Sequence, residues 1–246
     1  MVKSTKNLYS LSIVIPAYNE EDSLEWLVRD MIKDAPKFEI NDLEIIIVND
    51  GSTDKTYEIA DNLSKKHKVV RVIHKKNGGY CSALLAGIKE AKKNYIAYFP
   101  ADGQTLIRDI KKCIPLLGKA DLILGDRGER LDYSLYRMFI SHVYLILLRL
   151  LYGNPYRDIN WFHIWKREKI QSMNLTSKGI FILAEIVIRF RKKNYLIKEA
   201  SVPYRSRRSG EAKNAKLSIA WQTLVDLLRF WTKIHLLNFN KRSQII

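Results

Sequence analysis

The sequence predicts an α/β fold with a mostly parallel central sheet and a helical C-terminal elaboration. Three observations carry this. Short apolar runs alternate with helix-spaced segments through the first half, a pattern that parallel strands joined by right-handed crossovers produce. The runs are largely apolar rather than alternating, as strands buried on both faces are. Each run ends in a turn that brings polar residues or glycine.

Taken in order, Leu11–Pro16 is a short strand, and Glu20–Lys33 has helical spacing through Leu24, Leu27, Val28 and Met31. Leu43–Val48 is the second strand. Thr53–Lys66 is a helix, with Ser52, Thr53 and Asp54 as starting signals. Val69–His74 is a strand, and Gly78-Gly79 opens a helix over Tyr80–Lys92. Tyr95–Phe99 and Leu122–Leu124 are further strands. Helices dominate from Tyr133, with one more strand near Lys198–Val202. The expected organisation is a tail over 1–8, one main domain over 9–213, and an amphipathic helix and tail over 214–246.

The 246 residues carry a net charge of +16. It is uneven: residues 1–120 hold 19 basic and 16 acidic side chains, residues 121–246 hold 23 and 10. The second half is therefore expected to meet an anionic partner: phosphate groups, an acidic membrane surface or nucleic acid. No nucleic-acid-binding module is visible and the basic residues lie beyond the sheet motifs, so no nucleic acid is expected. Cys81 and Cys113 stand far apart, without metal-type spacing, which favours a reducing compartment.

No stretch is a convincing membrane span. Phe139–Tyr152 is apolar but short, and interrupted by His142 and Arg149. Leu217–Phe239 carries a polar stripe at Gln222, Asp226, Arg229 and Lys233. It reads as an amphipathic helix that covers the domain's own core, packs on a partner or lies in a membrane interface. The expected location is cytoplasmic, peripheral at the cytoplasmic face of a membrane or docked on a membrane-embedded partner.

Parallel strands deliver their C-terminal turns to one rim, where ligands of open α/β sheets bind. The turns are Pro16-Ala17-Tyr18-Asn19-Glu20, Asn49-Asp50-Gly51-Ser52-Thr53-Asp54, Asn77-Gly78-Gly79, Pro100-Ala101-Asp102-Gly103-Gln104 and Gly125-Asp126-Arg127. Tyr18 can stack on a base, and Asp50 can accept a base or ribose hydrogen bond. Asp102 and Gln104 can hold Mg²⁺ or Mn²⁺ against a diphosphate. No glycine-rich phosphate cradle of the Walker or dinucleotide type is present.

Ile13–Glu20, Val48–Thr56, Asn77–Gly79 and Ala101–Gln104, in this order and spacing, closely resemble the family 2 glycosyltransferases. The likeness runs from about residue 9 to 216. It is strongest to the branch of dolichyl-phosphate mannose synthases and other polyprenyl-phosphate glycosyltransferases. The resemblance implies an A-type glycosyltransferase, Rossmann-like fold. It also implies a UDP- or GDP-linked sugar donor, a divalent metal and a polyprenyl-phosphate acceptor. By position, Pro16, Tyr18, Glu20 and Asp50 match the nucleoside pocket, and Asp102 and Gln104 the metal and diphosphate pair. Arg127 would face a phosphate. Arg137 and Ser141, one helical turn apart, match a pair that grips acceptor phosphate. Arg207 and Lys213 match an Arg-x-x-Gly-x-Ser-Lys segment. Asp158 falls where the family has an aspartate ahead of a Gly-Phe pair, and is the candidate base for a hydroxyl acceptor.

The departures are specific. Pro100 stands where the family often has the first aspartate of Asp-x-Asp-x-Gln, and Asn49 where it has the first of Asp-Asp. Trp161 and His163 replace small residues, and Ala212 replaces a serine.

Overall fold

The computed structural model describes residues 9–128, 134–205 and 217–242, without the side chains of 137, 217 and 235–242. The strands are β1 (Tyr9–Ala17), β2 (Ile40–Asn49), β3 (Val70–His74), β4 (Tyr95–Tyr98), β5 (Leu122–Asp126), β6 (Phe162–Lys166) and β7 (Ile197–Ser201). The helices are α1 (Leu24–Asp34), α2 (Thr56–Lys66), α3 (Gly79–Glu90), α4 (Leu135–Tyr152), α5 (Arg167–Gln171), α6 (Ile182–Lys192) and α7 (Leu217–Arg242). One sheet of order β3-β2-β1-β4-β6-β5-β7 results.

β1 pairs in parallel with β2 and β4, with Ile13 opposite both Ile45 and Ala97. Its successive residues point to opposite faces. Leu11, Ile13 and Ile15 join a layer with α1 residues such as Leu27 and Met31. Val14 joins the layer containing Leu84 of α3 and Ile186 of α6. Burial on both faces explains why these strands read as continuous apolar runs.

The expected parallel sheet is present, with one correction. β6 was not anticipated, and it runs antiparallel between β4 and β5. Phe162-His163-Ile164-Trp165-Lys166 is short and stands in a helix-rich half, so local pattern marks it weakly. Its reversed direction places its N-terminal approach, Asp158–Trp161, at the same rim as the C-terminal ends of the parallel strands.

Two helices begin later than their starting signals suggested, because the turns before them are stitched together. Thr53 N–H donates to Asn19 Oδ1 at 2.9 Å, and Glu20 N–H to Thr56 Oγ1 at 2.8 Å. Glu21 N–H donates to Asp54 Oδ2, and Lys55 N–H to Glu21 Oε2. These bonds hold residues 19–23 and 52–55 as turns, with α1 starting at Leu24 and α2 at Thr56.

Gly87 lies where α3 crosses the sheet. A Cβ there would stand 2.3 Å from Val14 Cγ1. Gly87→Ala is expected to cost about 1–3 kcal/mol through overpacking. That corresponds to a melting temperature lower by about 2–12 °C, and a thermal unfolding scan measures it.

α7 packs on α4 and α6 through Leu227 and Phe230, both buried. Tyr152 Oη donates to Leu227 O at 2.6 Å, and the Phe181 and Phe230 rings lie 5.6 Å apart. No helix among the described residues is long and apolar enough to cross a membrane. Both cysteines are buried and free, and burial pushes each thiol up to about 12.

Candidate active site

A crevice of about 1220 Å³ opens along the strand-end rim. Its wall includes Pro16, Tyr18, Glu20 and Asp50 on the β1–β2 side. Beyond them it includes Asp102, Gln104, Arg127 and Ser141. Eight of the residues singled out in the sequence therefore meet in one place.

The turn after β2 depends on two residues. Gly51 has a φ of +71°, and a Cβ there would lie 2.7 Å from Asn77 N, so this turn and the one after β3 can pack together only around glycine. Asn49, buried at β2's end, accepts from Ser52 N–H through Oδ1. Its Nδ2 lies 3.1 Å from His74 Nδ1. Because an amide NH₂ only donates, His74 accepts at Nδ1 and offers Nε2–H to Asp61, 2.9 Å away. Asn49 thus ties β2 to β3 as a neutral residue.

Asp50 is 3 % exposed. Gly78 and Gly79 N–H groups donate to its two oxygens at 3.0 and 2.8 Å, and Lys75 Nζ donates to Oδ1 at 2.5 Å. The carboxylate holds the opening of α3 against the β1–β2 side of the crevice. Lys75 carried no sequence signal beyond its place just after a strand. Glu20 faces the crevice and accepts from Ser23 Oγ at 3.1 Å.

At the end of β4, Asp102 and Gln104 are both buried, at 5 % and 6 %. Gln104 N–H donates to Asp102 Oδ1 at 3.1 Å, across a turn made by Gly103 with φ +71°. Gln104 Nε2 donates to Arg205 O at 3.0 Å, which sets the amide's orientation. Arg205 in turn grips Asp109 with two N–H groups, at 3.0 and 2.5 Å. The chain leading toward Arg207 is therefore anchored beside this turn. Arg207 and Lys213 themselves lie outside the described residues.

Asp102 and Gln104 offer hard oxygen donors, which fits a divalent cation of the kind that bridges protein and substrate phosphates. Among the described residues no three His, Cys, Asp or Glu side chains cluster as a metal cage. A cation here would take its remaining ligands from a diphosphate and water.

Arg127, just after β5, stands in the wall and is pinned from behind. Its Nε and Nη2 donate to Asp158 Oδ2 and Oδ1 at 2.5 and 2.9 Å, and the pair is nearly sealed from solvent. The guanidinium sits 5.0 Å from the Trp161 ring centre. Asp158 is not on the crevice wall; both its oxygens face Arg127. Arg137 lies on α4 one turn before Ser141, with its side chain outside the description.

His163 is fully buried on β6. Its Nε2 lies 2.7 Å from Ile159 O, so that nitrogen carries the proton. Burial pulls its pKa down to about 4, against opposing effects of Ile159 and Asp158. The neutral ring fixes the turn from which Asp158, Asn160 and Trp161 project. Trp161 Nε1 donates to Val202 O at 3.1 Å, so the bulky residues that replace small ones serve as packing and anchors.

Beyond Arg127 the crevice continues between α4 and α7, past Phe139, Ile140, Val143, Trp221 and Leu224. Tyr80, Tyr98, Tyr144 and Asn160 also line it and were not singled out in the sequence. For Tyr80 a signal existed: it follows Gly78-Gly79 at a strand-end turn.

Comparison with known proteins places this geometry. The chain is similar to a dolichol-phosphate mannosyltransferase of Pyrococcus furiosus, 31% identical over 212 residues, covering 82% of this chain and 58% of that protein. It spans less than two thirds of that relative's length. It is 26% identical over 227 residues to an undecaprenyl-phosphate 4-deoxy-4-formamido-L-arabinose transferase of Proteus mirabilis, covering 91% of this chain and 68% of that protein. Its fold matches glucosyl-3-phosphoglycerate synthase from Mycobacterium tuberculosis, solved with Mn²⁺, UDP-glucose and phosphoglyceric acid. The TM-score is 0.69 at 18% identity, over 91% of this chain and 80% of that one. The fold is thus that of the A-type glycosyltransferases. The model of one family, "Glycosyl transferase family 2", matches residues 12–191. By that match, which takes in every turn of the strand-end rim, this chain belongs to glycosyl transferase family 2.

Proposed function

We propose that this chain transfers a sugar from a nucleoside-diphosphate sugar to a polyprenyl phosphate at a membrane surface, with inversion at the anomeric carbon. The observation that carries the reading is the continuity of the crevice. It runs from Tyr18, Asp50 and Asp102 to the apolar walls of α4 and α7. Where it ends, α4 exposes Leu135, Phe139, Val143, Ile146 and Leu150. Steps of four, four, three and four put these on one helix face. A crevice polar at one end and apolar at the other suits an acceptor with a phosphate head and a hydrocarbon tail. The names of the transferases it resembles support the same acceptor class.

The nucleoside lies by Tyr18 and the turn held by Asp50. Mg²⁺ or Mn²⁺ at Asp102 and Gln104 supplies charge neutralisation of the diphosphate; the fold relative solved with Mn²⁺ and UDP-glucose supports such a cation. An acceptor phosphate oxygen attacks the anomeric carbon on the face opposite the diphosphate. The new carbon–oxygen bond forms as the bond to the diphosphate breaks, and the leaving diphosphate keeps the electron pair. The attacking oxygen is already anionic, so no general base is required. Arg127 orients phosphate, and Asp158 holds Arg127 in place. Arg137, Ser141, Arg207 and Lys213 complete the acceptor's phosphate contacts.

Incubation with UDP- and GDP-sugars against polyprenyl phosphate and hydroxyl acceptors, with Mn²⁺, tests the function. Sugar transfer to polyprenyl phosphate is expected; transfer to hydroxyl acceptors alone overturns the acceptor. A second reading, a subunit that binds nucleotide sugar without turnover, is favoured by the single carboxylate at the metal corner. It requires that no donor be consumed in the same assay.

Membrane contact has a separate test. Ile146 and Leu150 are outside the crevice wall. Burying such a side chain contributes about 1.5–3 kcal/mol. The double change Ile146→Asp and Leu150→Asp is expected to weaken co-sedimentation with anionic vesicles by at least about tenfold. Nucleotide-sugar binding should persist.

A further inference from the structure

Three of the buried polar atoms without partners among the described residues belong to the crevice wall. Tyr80 Oη, Tyr144 Oη and Asn160 Oδ1 are sealed from solvent and meet no described residue in full hydrogen-bond geometry, though Tyr98 approaches the Tyr80 hydroxyl and Asn160 the Tyr144 hydroxyl. All three residues line the crevice. They come from three separate elements: the opening of α3, the middle of α4, and the turn before β6. Tyr98 joins them from the end of β4, its ring edge-on to Tyr80 at 5.6 Å.

Burying a polar atom without a partner is costly, and native proteins rarely tolerate it except where function uses it. Three such atoms in the wall of a single ligand crevice point to a ligand with several hydrogen-bonding groups. Their location narrows the choice. Tyr98 stands on the strand that ends at Asp102, the diphosphate corner. Tyr144 stands three residues beyond Ser141, on the helix face proposed to meet the acceptor phosphate. Asn160 is next to Trp161, which flanks Arg127. The cluster therefore lies between the donor's diphosphate and the acceptor's phosphate, and the group that occupies that interval is the transferred sugar.

The chemistry also fits. Sugar hydroxyls donate and accept; a tyrosine hydroxyl does both, and an asparagine Oδ1 accepts. Burial, with Tyr98 beside it, raises the Tyr80 hydroxyl well above its usual pKa. Burial also raises Tyr144, with Asn160 beside it pulling the other way. Both hydroxyls keep their protons at neutral pH.

We propose that Tyr80, Tyr144 and Asn160 form the subsite that reads the hydroxyl groups of the transferred sugar and so sets which sugar is accepted. The proposal rests on the transferase reading above. A pocket built to hydrogen-bond a hydroxyl discriminates strongly against sugars that misplace it, because its own polar atoms are then left unpaired. Tyr80→Phe and Tyr144→Phe remove one hydroxyl each and keep the ring.

The test uses the full chain, the two single variants and the double variant. Calorimetry with Mn²⁺ measures UDP and GDP without sugar, then UDP-glucose and GDP-mannose, and a donor panel compares transfer rates. Nucleoside-diphosphate affinity is expected to stay within about twofold of wild type. Affinity for the preferred nucleotide sugar should fall by about 3- to 10-fold per hydroxyl removed. The double variant should lose preference between sugars that differ at one hydroxyl. Melting temperatures should change little, since neither hydroxyl makes a hydrogen bond of full geometry within the described residues. Unchanged sugar affinity and preference in the double variant overturns the subsite while leaving the transferase reading intact. So does a lower melting temperature with a parallel loss of UDP and GDP affinity, which marks a structural role. If the wild-type chain binds no nucleoside diphosphate, the transferase reading falls and the subsite with it.

Discussion

Asp102→Asn is expected to lower sugar transfer by about 10²–10³-fold, the scale of losing one preorganised group that stabilises developing charge. The substitution separates chemistry from folding. Asp102 accepts the Gln104 N–H through Oδ1, and an asparagine oxygen can accept the same bond. The turn is preserved while the carboxylate's charge is removed. The effect should be large because charge is scarce at this corner. Pro100 holds the position where relatives often place another aspartate, and no acidic cluster completes a cage among the described residues. The measurement is transfer rate against Mn²⁺ concentration, alongside thermal unfolding. The expected result is an unchanged melting temperature, a much weaker apparent metal affinity and a lower maximal rate. Wild-type turnover in the variant would remove Asp102 from the diphosphate corner.

Asp158→Ala is expected to cost about 3–5 kcal/mol of stability, because it removes the carboxylate that meets the buried Arg127 guanidinium with two hydrogen bonds. For a chain of this length that lowers the melting temperature by about 6–20 °C. The side chains of Arg127 and Asp158 are only 7% and 4% exposed and meet through two hydrogen bonds. A second variant isolates the cause. Replacing both, Arg127→Met with Asp158→Leu, removes the buried charge together with its counter-charge and should recover most of the lost stability. It should not recover transfer, because the Arg127 guanidinium is then missing from the crevice wall. Activity in the double variant near that of wild type would show that Arg127 orients no phosphate. A role for Asp158 as base predicts a different pattern: Asp158→Asn would abolish transfer to a hydroxyl acceptor with little loss of stability.

Several residues were legible in the sequence because their surroundings are local. Asp102 and Gln104 share one turn, and Pro16, Tyr18 and Asp50 follow apolar runs that admit no other reading than buried strands. Others were not legible, because their roles come from residues distant in the chain. Asp50 is held by Gly78 and Gly79, 28 and 29 residues on. Gln104 is oriented by Arg205, 101 residues away. Asp158 and Arg127, singled out for different roles, turn out to face each other across 31 residues. Tyr80, Tyr144 and Asn160 are unremarkable singly; only folding brings them into one wall.

By itself the sequence determined the α/β class, the run of parallel strands and the rim that gathers the polar turns. Those follow from short-range facts: apolar continuity, helical spacing and turn chemistry. Tertiary structure alone decided that β6 inserts antiparallel between β4 and β5, that Asp158 serves Arg127, and that the crevice joins a polar rim to an apolar cleft. Strand order, ion-pair choice and cavity shape depend on which distant surfaces exclude water together, and no local pattern of residues encodes that.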